Sequence, residues 1–338
     1  MKRAIMSVVA AISALSLMLS GYAQAGTTPA PAATPAKKVD FPQAGRFITW
    51  INPNGAGGGT DVTARRLAPI FEKELGVPVQ IVNRPGASQQ IGITELAKAK
   101  PDGYTIGYTQ LATVVTHYLD ARRQAVYTRK DFAPLAIHGA DLGVLAVRSN
   151  SPYKSVKDLV DAAKANPDKI KVGDAGIGTS GHLQILQVQR MSGAKVGSVH
   201  FNGDNEILAA LLGGHIDVYS STQVGVLPQL RSGELRLLGV SDKEPSPFYP
   251  EAKTMEAQGY KIYIATSRLI SAPAGIPKDV QDVLSGALKR AIESNEHKQA
   301  MADLGLVWRY LGPTECMTFW AGTEEWVKPL VSEIMTSN

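Results

Sequence analysis

The stretch that decides the fold is Ile48-Thr49-Trp50-Ile51-Asn52-Pro53-Asn54-Gly55-Ala56-Gly57-Gly58-Gly59-Thr60-Asp61. It begins as a β-rich run, breaks at Pro53 into a glycine-dense loop, and continues into a segment with apolar residues at helical spacing that is expected to end at Gly76. Glycines let a backbone approach a ligand closely, and the free N–H groups of a helix's first turn attract an anion. This strand–loop–helix unit therefore predicts one half of an anion-binding site, with Thr60 or Asp61 capping the helix.

Other glycine loops fit this stretch less well. A P-loop needs a lysine after its last glycine, and Thr60 stands there instead. A dinucleotide-binding loop needs a glycine where Thr60 stands and an acidic residue where Asn83 ends the next strand. A tight turn without a ligand remains open as the plain structural alternative.

Residues 1–25 have the composition of an export signal. Lys2 and Arg3 precede an apolar run over residues 5–19, and a small-residue cleavage site ends at Ala25. Cleavage after Ala25 predicts an exported, periplasmic protein. Residues 26–43 are rich in proline, alanine and threonine, which is typical of a disordered leader.

Composition excludes several classes of function. Loss of Lys2 and Arg3 lowers the formal charge from +5 to about +3, a mildly basic balance that suits an anionic ligand. The sequence contains no lysine- and arginine-rich run with interleaved aromatic residues, so nothing in it indicates nucleic-acid binding. A single cysteine, Cys316, excludes a disulfide framework, and the histidines have no metal-ligand spacing. We therefore expect no metal and no cofactor.

The body of the chain alternates strands and helices, which predicts an α/β fold of sheets flanked by helices. A second strand–glycine loop–helix unit starts at Lys169 and includes residues 174–182. We also expect strands over residues 235–240 and 262–266, and two tail helices, Lys278 to Glu293 and Pro313 to about Ser332. Residues 220–223 form a polar cluster, in which Ser221 and Thr222 either line the cleft wall or belong to an ordinary loop. Roughly 300 residues exceed one comfortable core, so two lobes are predicted, with a glycine loop on each facing a shared cleft.

Six motifs follow one another in this chain. They are Asn54-Gly55-Ala56-Gly57-Gly58-Gly59-Thr60-Asp61, Val82-Asn83-Arg84-Pro85-Gly86, Pro101-Asp102-Gly103-Tyr104-Thr105, Gly178-Thr179-Ser180-Gly181-His182-Leu183, Leu211-Leu212-Gly213-Gly214-His215-Ile216-Asp217 and Ala272-Pro273-Ala274-Gly275-Ile276-Pro277. Together they resemble the Bug/TctC family, the extracytoplasmic solute receptors of tripartite tricarboxylate transporters. The resemblance covers the chain from about Ala44 to Glu333.

The resemblance implies a two-lobed periplasmic binding protein, type II-like, with mixed sheets flanked by helices and a cleft between the lobes. Lobe 1 is expected to comprise residues 44–142 and 267–338, and lobe 2 residues 143–266. It implies a monomeric receptor that closes on a carboxylate-bearing metabolite, delivers it to the membrane permease subunits, and catalyses nothing. In that family the carboxylate is held mainly by main-chain N–H groups, hydroxyls and ordered waters.

Candidate ligand-binding residues come from the two loops and the strand ends near them. They are Asn54, Gly57, Gly58, Gly59, Thr60, Thr109, Gln110, Gly178, Thr179, Ser180, Phe201, Asn202, Ser221, Thr222 and Arg268. Asp174 is expected to hydrogen-bond its own loop, or to bind an amine or alcohol of the ligand. His182 is expected to bond the helix end.

Departures from the family pattern point to the ligand. The family usually has a basic residue where Asn202 stands, and an aromatic pattern where Ser267-Arg268-Leu269 stands. Arg268 is therefore either the cation for a second ligand carboxylate or a solvent-facing residue at a strand end. A dicarboxylate is the preferred ligand, and Phe201 and Tyr219 make an aromatic one such as terephthalate a candidate. A sensor subunit for a signalling kinase and a periplasmic hydrolase using Ser180 are the alternatives.

Overall fold

The computed structural model describes residues 39–201 and 203–336. The predicted signal peptide (1–25), residues 26–38 of the predicted leader and the candidate ligand residue Asn202 lie outside these residues. Of the remaining leader residues, Phe41 packs its ring against Tyr104 at 4.9 Å, and the Gln43 N–H donates to the Tyr104 hydroxyl at 2.8 Å. No helix in the described ranges is both long enough and apolar enough to cross a membrane.

The strands of the described chain follow one another along the sequence. They are β1 Ile48–Asn52, β2 Val79–Asn83, β3 Thr105–Tyr108, β4 Phe132–Arg148, β5 Lys171–Asp174, β6 Gly197–His200, β7 Val218–Thr222, β8 Leu235–Val240, β9 Ala265–Pro273 and β10 Val307–Leu311. β8 coincides with the strand that the alternation predicts. The strand predicted over residues 262–266 is present with other bounds, because pairing begins only at Ala265 and continues to Pro273.

The α-helices alternate with these strands. They are α1 Gly59–Leu75, α2 Gln90–Ala97, α3 Leu111–Leu119, α4 Val156–Ala165, α5 Ser180–Ser192, α6 Asp204–Leu212, α7 Leu227–Ser232, α8 Lys278–Glu293, α9 Asn295–Asp303 and α10 Pro313–Thr336. α8 has the predicted bounds, and α10 extends a turn beyond its predicted end. The tail also holds a third helix, α9, and strand β10, so the expectation of only two tail helices is wrong. A new helix starts directly after α8 because the Ser294 hydroxyl caps α9.

The strands form one mixed sheet in the order β2-β1-β3-β9-β4-β7-β5-β6, with β8 and β10 also paired to β4. β1 pairs in parallel with β2 and β3, and β5 pairs in parallel with β6 and β7. β9 and β4 are antiparallel to their neighbours. The glycine loops after β1 and β5 therefore follow the carboxyl ends of two separate parallel groups, where ligands bind in α/β sheets.

β4 changes partners along its length. Residues up to Leu142 pair with β9, and residues from Gly143 pair with β7 and β8. We call β1, β2, β3, β9, β10 and residues 132–142 of β4 the first half-sheet, and β5–β8 with residues 143–148 of β4 the second half-sheet. One apolar cluster runs through both halves, since it contains Ile51 and Leu269 as well as Val172 and Leu183. The two predicted lobe boundaries stay a prediction.

Candidate functional site

The first glycine loop joins β1 to α1. The N-cap is Gly58, which makes no side-chain cap bond, so the predicted cap at Thr60 or Asp61 is wrong and the first-turn N–H groups receive no capping side chain. Asp61 instead braces the loop: its Oδ2 accepts the Gly57 N–H at 2.9 Å and Arg65 Nε at 3.0 Å. Burial raises the pKa of Asp61, but the bonds from Arg65, Gly57 and Asn83 outweigh it and lower the pKa to about 2.

The second glycine loop joins β5 to α5. Its N-cap, Thr179, donates its hydroxyl to the Gly176 carbonyl at 2.8 Å and therefore leaves the helix start without a side-chain cap. His182 Nδ1 accepts the Gly178 N–H at 3.0 Å, which confirms the expected helix-end bond. Asp174 Oδ1 accepts the Gly176 N–H at 2.8 Å, so the expected bond within the loop is present as well. The first turn of α5, like that of α1, has no side-chain cap, and the N–H groups of such a turn attract an anion.

Both helix starts meet one strand. The Thr60 hydroxyl accepts Arg268 Nη1 at 2.8 Å, and the Ser180 hydroxyl lies 3.1 Å from the Thr266 hydroxyl. Thr266 and Arg268 are two residues apart on β9, so their side chains share a face and stand about 7 Å apart. Two uncapped helix N-termini from different half-sheets therefore end side by side on β9.

Arg268 lies inside the strand and is only 3% exposed, so the alternative of a solvent-facing residue at a strand end is wrong. Its Nη2 donates to Asp141 Oδ2 at 3.0 Å, while Nε has no partner among the described residues. The Thr60 hydroxyl accepts from both Arg268 Nη1 and Gln110 Nε2, each at 2.8 Å. With two donors already on its oxygen, Thr60 keeps its own hydrogen to donate to a further acceptor.

Asp141 is the partner that the sequence analysis missed. It is 1% exposed, and its Oδ1 accepts the Val224 N–H at 3.2 Å. Burial raises its pKa to about 6, although Arg268 and the bonds from Thr222 and Val224 act in the opposite direction. A signal was present: a lone acid in the apolar run from Ala140 to Val144 must be paired if that run is a buried strand.

Several predicted residues do line the same region. Gln110 reaches Thr60, as described above, and the Thr109 hydroxyl lies 2.6 Å from that of Ser271. Ser221 and Thr222 belong to β7 and are buried, so the alternative of an ordinary loop at these residues is wrong. β7 is a central strand of the sheet and all five of its residues are buried. Polar side chains on such a strand are therefore buried as well, because both of its faces are covered.

The two aromatic residues of the ligand hypothesis, Phe201 and Tyr219, differ in burial. Tyr219 is fully buried, and its hydroxyl donates to Asp204 Oδ1 at 2.9 Å. Phe201 is half-buried, and its ring edge lies against Gly173, where an added Cβ would come within 3.0 Å of it. Asn54 is half-buried at the tip of the first loop, where its N–H donates to Asn52 Oδ1 at 3.3 Å.

The arrangement offers little for catalysis. The Ser180 hydroxyl pairs with Thr266, and Nδ1 of the nearby His182 is taken up by the Gly178 N–H. A nucleophile needs a base within hydrogen-bond reach. Across residues 39–201 and 203–336, no group of three histidine, cysteine, aspartate or glutamate side chains could hold a metal ion.

Comparisons with known proteins identify the family of this chain. Residues 63–335 match the family model described as "Tripartite tricarboxylate transporter family receptor". The chain is 29% identical to the "UPF0065 protein in tcbD-tcbE intergenic region" of Pseudomonas sp. strain P51, over 95% of both chains. It is 32% identical to a UPF0065 protein of Bordetella pertussis strain Tohama I, over 77% of this chain and 80% of that one.

Solved structures show the same fold. The periplasmic binding protein BugD is 26% identical and has a TM-score of 0.75, covering 86% of this chain and 97% of its own. Two Rhodopseudomonas palustris proteins, each 24% identical with a TM-score of 0.77, were determined with malate and with adipate. They cover 85% and 86% of this chain, and 99% and 98% of their own.

The family model covers most of the described chain, and the fold is that of the TctC/Bug periplasmic binding proteins, α/β with a mixed sheet flanked by helices. The chain belongs to the tripartite tricarboxylate transporter receptor (TctC) family, whose members are solute-binding receptors and not enzymes.

Proposed function

We propose that this receptor captures a small dicarboxylate in the periplasm and delivers it to the permease subunits of a tripartite transporter. The observation that carries the proposal is the pair of uncapped helix starts, at Gly58 and Thr179, which meet β9 side by side. Each helix N-terminus acts as roughly half a positive charge, so together they balance about one carboxylate. The free hydrogen of Thr60 adds a hydroxyl donor at the same place.

Arg268 is the proposed contact for the second carboxylate. It lies beside the first helix start, since a Cβ added at Gly59 would stand 3.5 Å from its Nη2. Its buried Nε–H is without an acceptor among the described residues, and leaving such a donor unpaired costs about 1–3 kcal/mol. A ligand carboxylate would supply that acceptor. The malate and adipate found in two proteins of this fold are both dicarboxylates, which is consistent with a two-ended ligand.

The finer choice of ligand is an aromatic dicarboxylate such as terephthalate. Of the two aromatic residues only the half-buried Phe201 supports it, because Tyr219 is a fully buried residue of β7. The remaining proposed features are release of the mature chain after Ala25, a monomeric state, and lobes formed by residues 44–142 with 267–338 and by residues 143–266. In this proposal the ligand enters between these lobes, and they close on it.

A ligand screen tests the function. The purified mature chain is mixed with matched mono-, di- and tricarboxylates, and the melting temperature is measured with each. Binding at a hundredfold excess over Kd adds about 2.7 kcal/mol of stability, so the true class should stand out clearly. Small-angle scattering on the best hit should show compaction. If no carboxylate raises the melting temperature, the proposal fails; a shift with monocarboxylates alone would overturn the dicarboxylate choice.

A further inference from the structure

Asp141 places a negative charge inside the proposed cleft wall. It stands on β4 near the point where that strand changes partners, and it is 1% exposed. Three elements contact it: Arg268 of β9, Thr222 at the end of β7, and the Val224 N–H of the segment after β7. The buried guanidinium is therefore already neutralised by the protein's own carboxylate.

Arg268 donates one hydrogen bond to Asp141, from Nη2, and does not form the two-pronged contact that an arginine can make. Nη2 reaches Asp141 and Nη1 reaches Thr60, while Nε has no partner in the described ranges. A ligand carboxylate that accepts from Nε–H would share the guanidinium with Asp141. Two carboxylates beside one cation in a buried site cannot both stay ionised easily, because each raises the pKa of the other. One of the two must then hold a proton.

We propose that Asp141 is a specificity-determining residue that limits the cleft to one net negative charge. A monoanion enters as it is, whereas a dicarboxylate enters together with one proton from solvent, which binds the Asp141 carboxylate. The inference rests on the proposed function, since it requires a carboxylate in this cleft. The two helix starts balance about one negative charge, and Arg268 and Asp141 cancel each other. A second ligand charge therefore finds nothing to balance it unless Asp141 becomes neutral.

The charged groups around the pair support this assignment. Besides Arg268, Asp141 faces Asp204 at the start of α6, whose charge raises the pKa of Asp141 further, and Tyr219 of β7. Burial raises the pKa of Tyr219 far above neutral pH. Burial itself raises the pKa of Asp141 to about 6, so a further upward shift brings its titration into the neutral range.

Two more titratable side chains face Arg268 from the first half-sheet. Burial raises the pKa of Tyr108 on β3 and lowers that of His138 on β4, so both stay neutral near pH 7. The Tyr108 hydroxyl and His138 Nε2 are 2.8 Å apart, and each satisfies the other. Neither can therefore take up the proton that the second ligand charge demands at neutral pH.

The test is calorimetric titration from pH 8 to pH 6 with succinate, adipate and terephthalate, each beside its monoamide. The first charge of a free diacid raises its second pKa above the usual carboxyl value of about 4, so the decisive comparison is between pH 8 and pH 7, where the free diacids are doubly ionised. Uptake of one proton makes the affinity of a diacid rise up to about tenfold per pH unit as the pH falls, while that of the monoamide stays level. A level diacid profile in the wild-type protein would overturn the inference.

Variants locate the proton. Asp141→Asn should strengthen diacid binding at pH 8 at least tenfold and remove its pH dependence. Asp120→Asn is the matched control. Asp120 is also buried beside an arginine, Arg122 at 2.9 Å, but its carboxylate accepts from Arg122 and not from Arg268, so the profile should match the wild type. If Asp141→Asn does not fold, the wild-type profiles decide. Absence of binding by every acid would instead overturn the proposed function, which is a different result from a level profile.

Discussion

The two glycine loops end alike, each at a helix start without a side-chain cap, yet different groups hold them in place. Asp61 braces the first loop, and bonds from Arg65, Gly57 and Asn83 keep its pKa at about 2 despite burial. His182 braces the second loop as an acceptor, and burial lowers its pKa to about 4. The first brace therefore survives mild acid, whereas the second is lost once the imidazole binds a proton.

The loops also differ in how tightly they are packed. A Cβ added at Gly55 or Gly57 would meet nothing within 4 Å, and one at Gly58 would only touch the Gly55 carbonyl at 3.5 Å. A Cβ added at Gly178 would lie 2.3 Å from Thr116 Cγ2. The first loop therefore has room around its backbone, and we expect changes there to affect binding. The second loop is part of the packing, and we expect changes there to affect stability.

The largest expected effect is that of Gly178→Ala. Its φ of +78° disfavours any side chain, and Thr116 is fully buried with its hydroxyl bonded to the Ala112 carbonyl, so it cannot yield. We expect the free energy of unfolding to fall by about 2–4 kcal/mol in urea denaturation. Gly193→Ala is the control: its φ is +71° with nothing within 4 Å, so only about 1 kcal/mol is expected. Equal losses would show that the second loop is not tightly packed.

Gly58→Val should act on binding instead. The φ of −72° and ψ of 163° at Gly58 are ordinary for valine, so the melting temperature should barely change. Its side chain would crowd the helix start and weaken carboxylate binding by about 2 kcal/mol or more in calorimetry. The control is Gly55→Val: a Cβ at Gly55 meets nothing within 4 Å, so this variant should bind the carboxylate almost normally. Full affinity in a folded Gly58→Val protein would place the ligand elsewhere.

Mild acid should separate the two braces. Because burial lowers the pKa of His182 from 6.5 to about 4, its contribution to stability is complete above pH 6.5 and is lost as the pH falls towards 4. The stability advantage of wild type over His182→Asn should shrink by about 1–2 kcal/mol between pH 7 and pH 5. Over the same range the advantage over Asp61→Asn should stay constant. A constant difference for His182→Asn as well would remove the contrast between the loops.

Short sequence patterns, such as apolar periodicity and a glycine stop, predicted several helices and strands correctly. Gly76, at φ +82°, ends α1 as expected, and α8 and β8 have their predicted bounds. The bounds predicted for the strand over residues 262–266 were wrong because Ile262 and Ile264 are buried and Tyr263 is exposed, an alternation that here lacks ladder pairing. The polar residues Ser267 and Arg268 interrupt the apolar pattern of β9, so the sequence did not predict that the strand continues through them.

The site itself depended on contacts that no local pattern contains. Both loops were found from their glycines, but the pairing of Arg268 with Asp141 joins residues 127 positions apart. A buried arginine is stable in a central strand only when such a partner is present, and its partner belongs to a different strand. The contact of Ser180 with Thr266, 86 positions apart, was invisible for the same reason.

The central place of β9 has a consequence for the order in which the chain can fold. β9 separates β3 from β4 in the sheet, although the whole second half-sheet precedes it in sequence. The ladder of the first half-sheet cannot close until Pro273 has been synthesised, and such long-range pairing is slow. A nascent chain shorter than that presents two unpaired strand edges, each able to pair with another chain. The waiting time for β9 therefore sets how long this protein is open to aggregation.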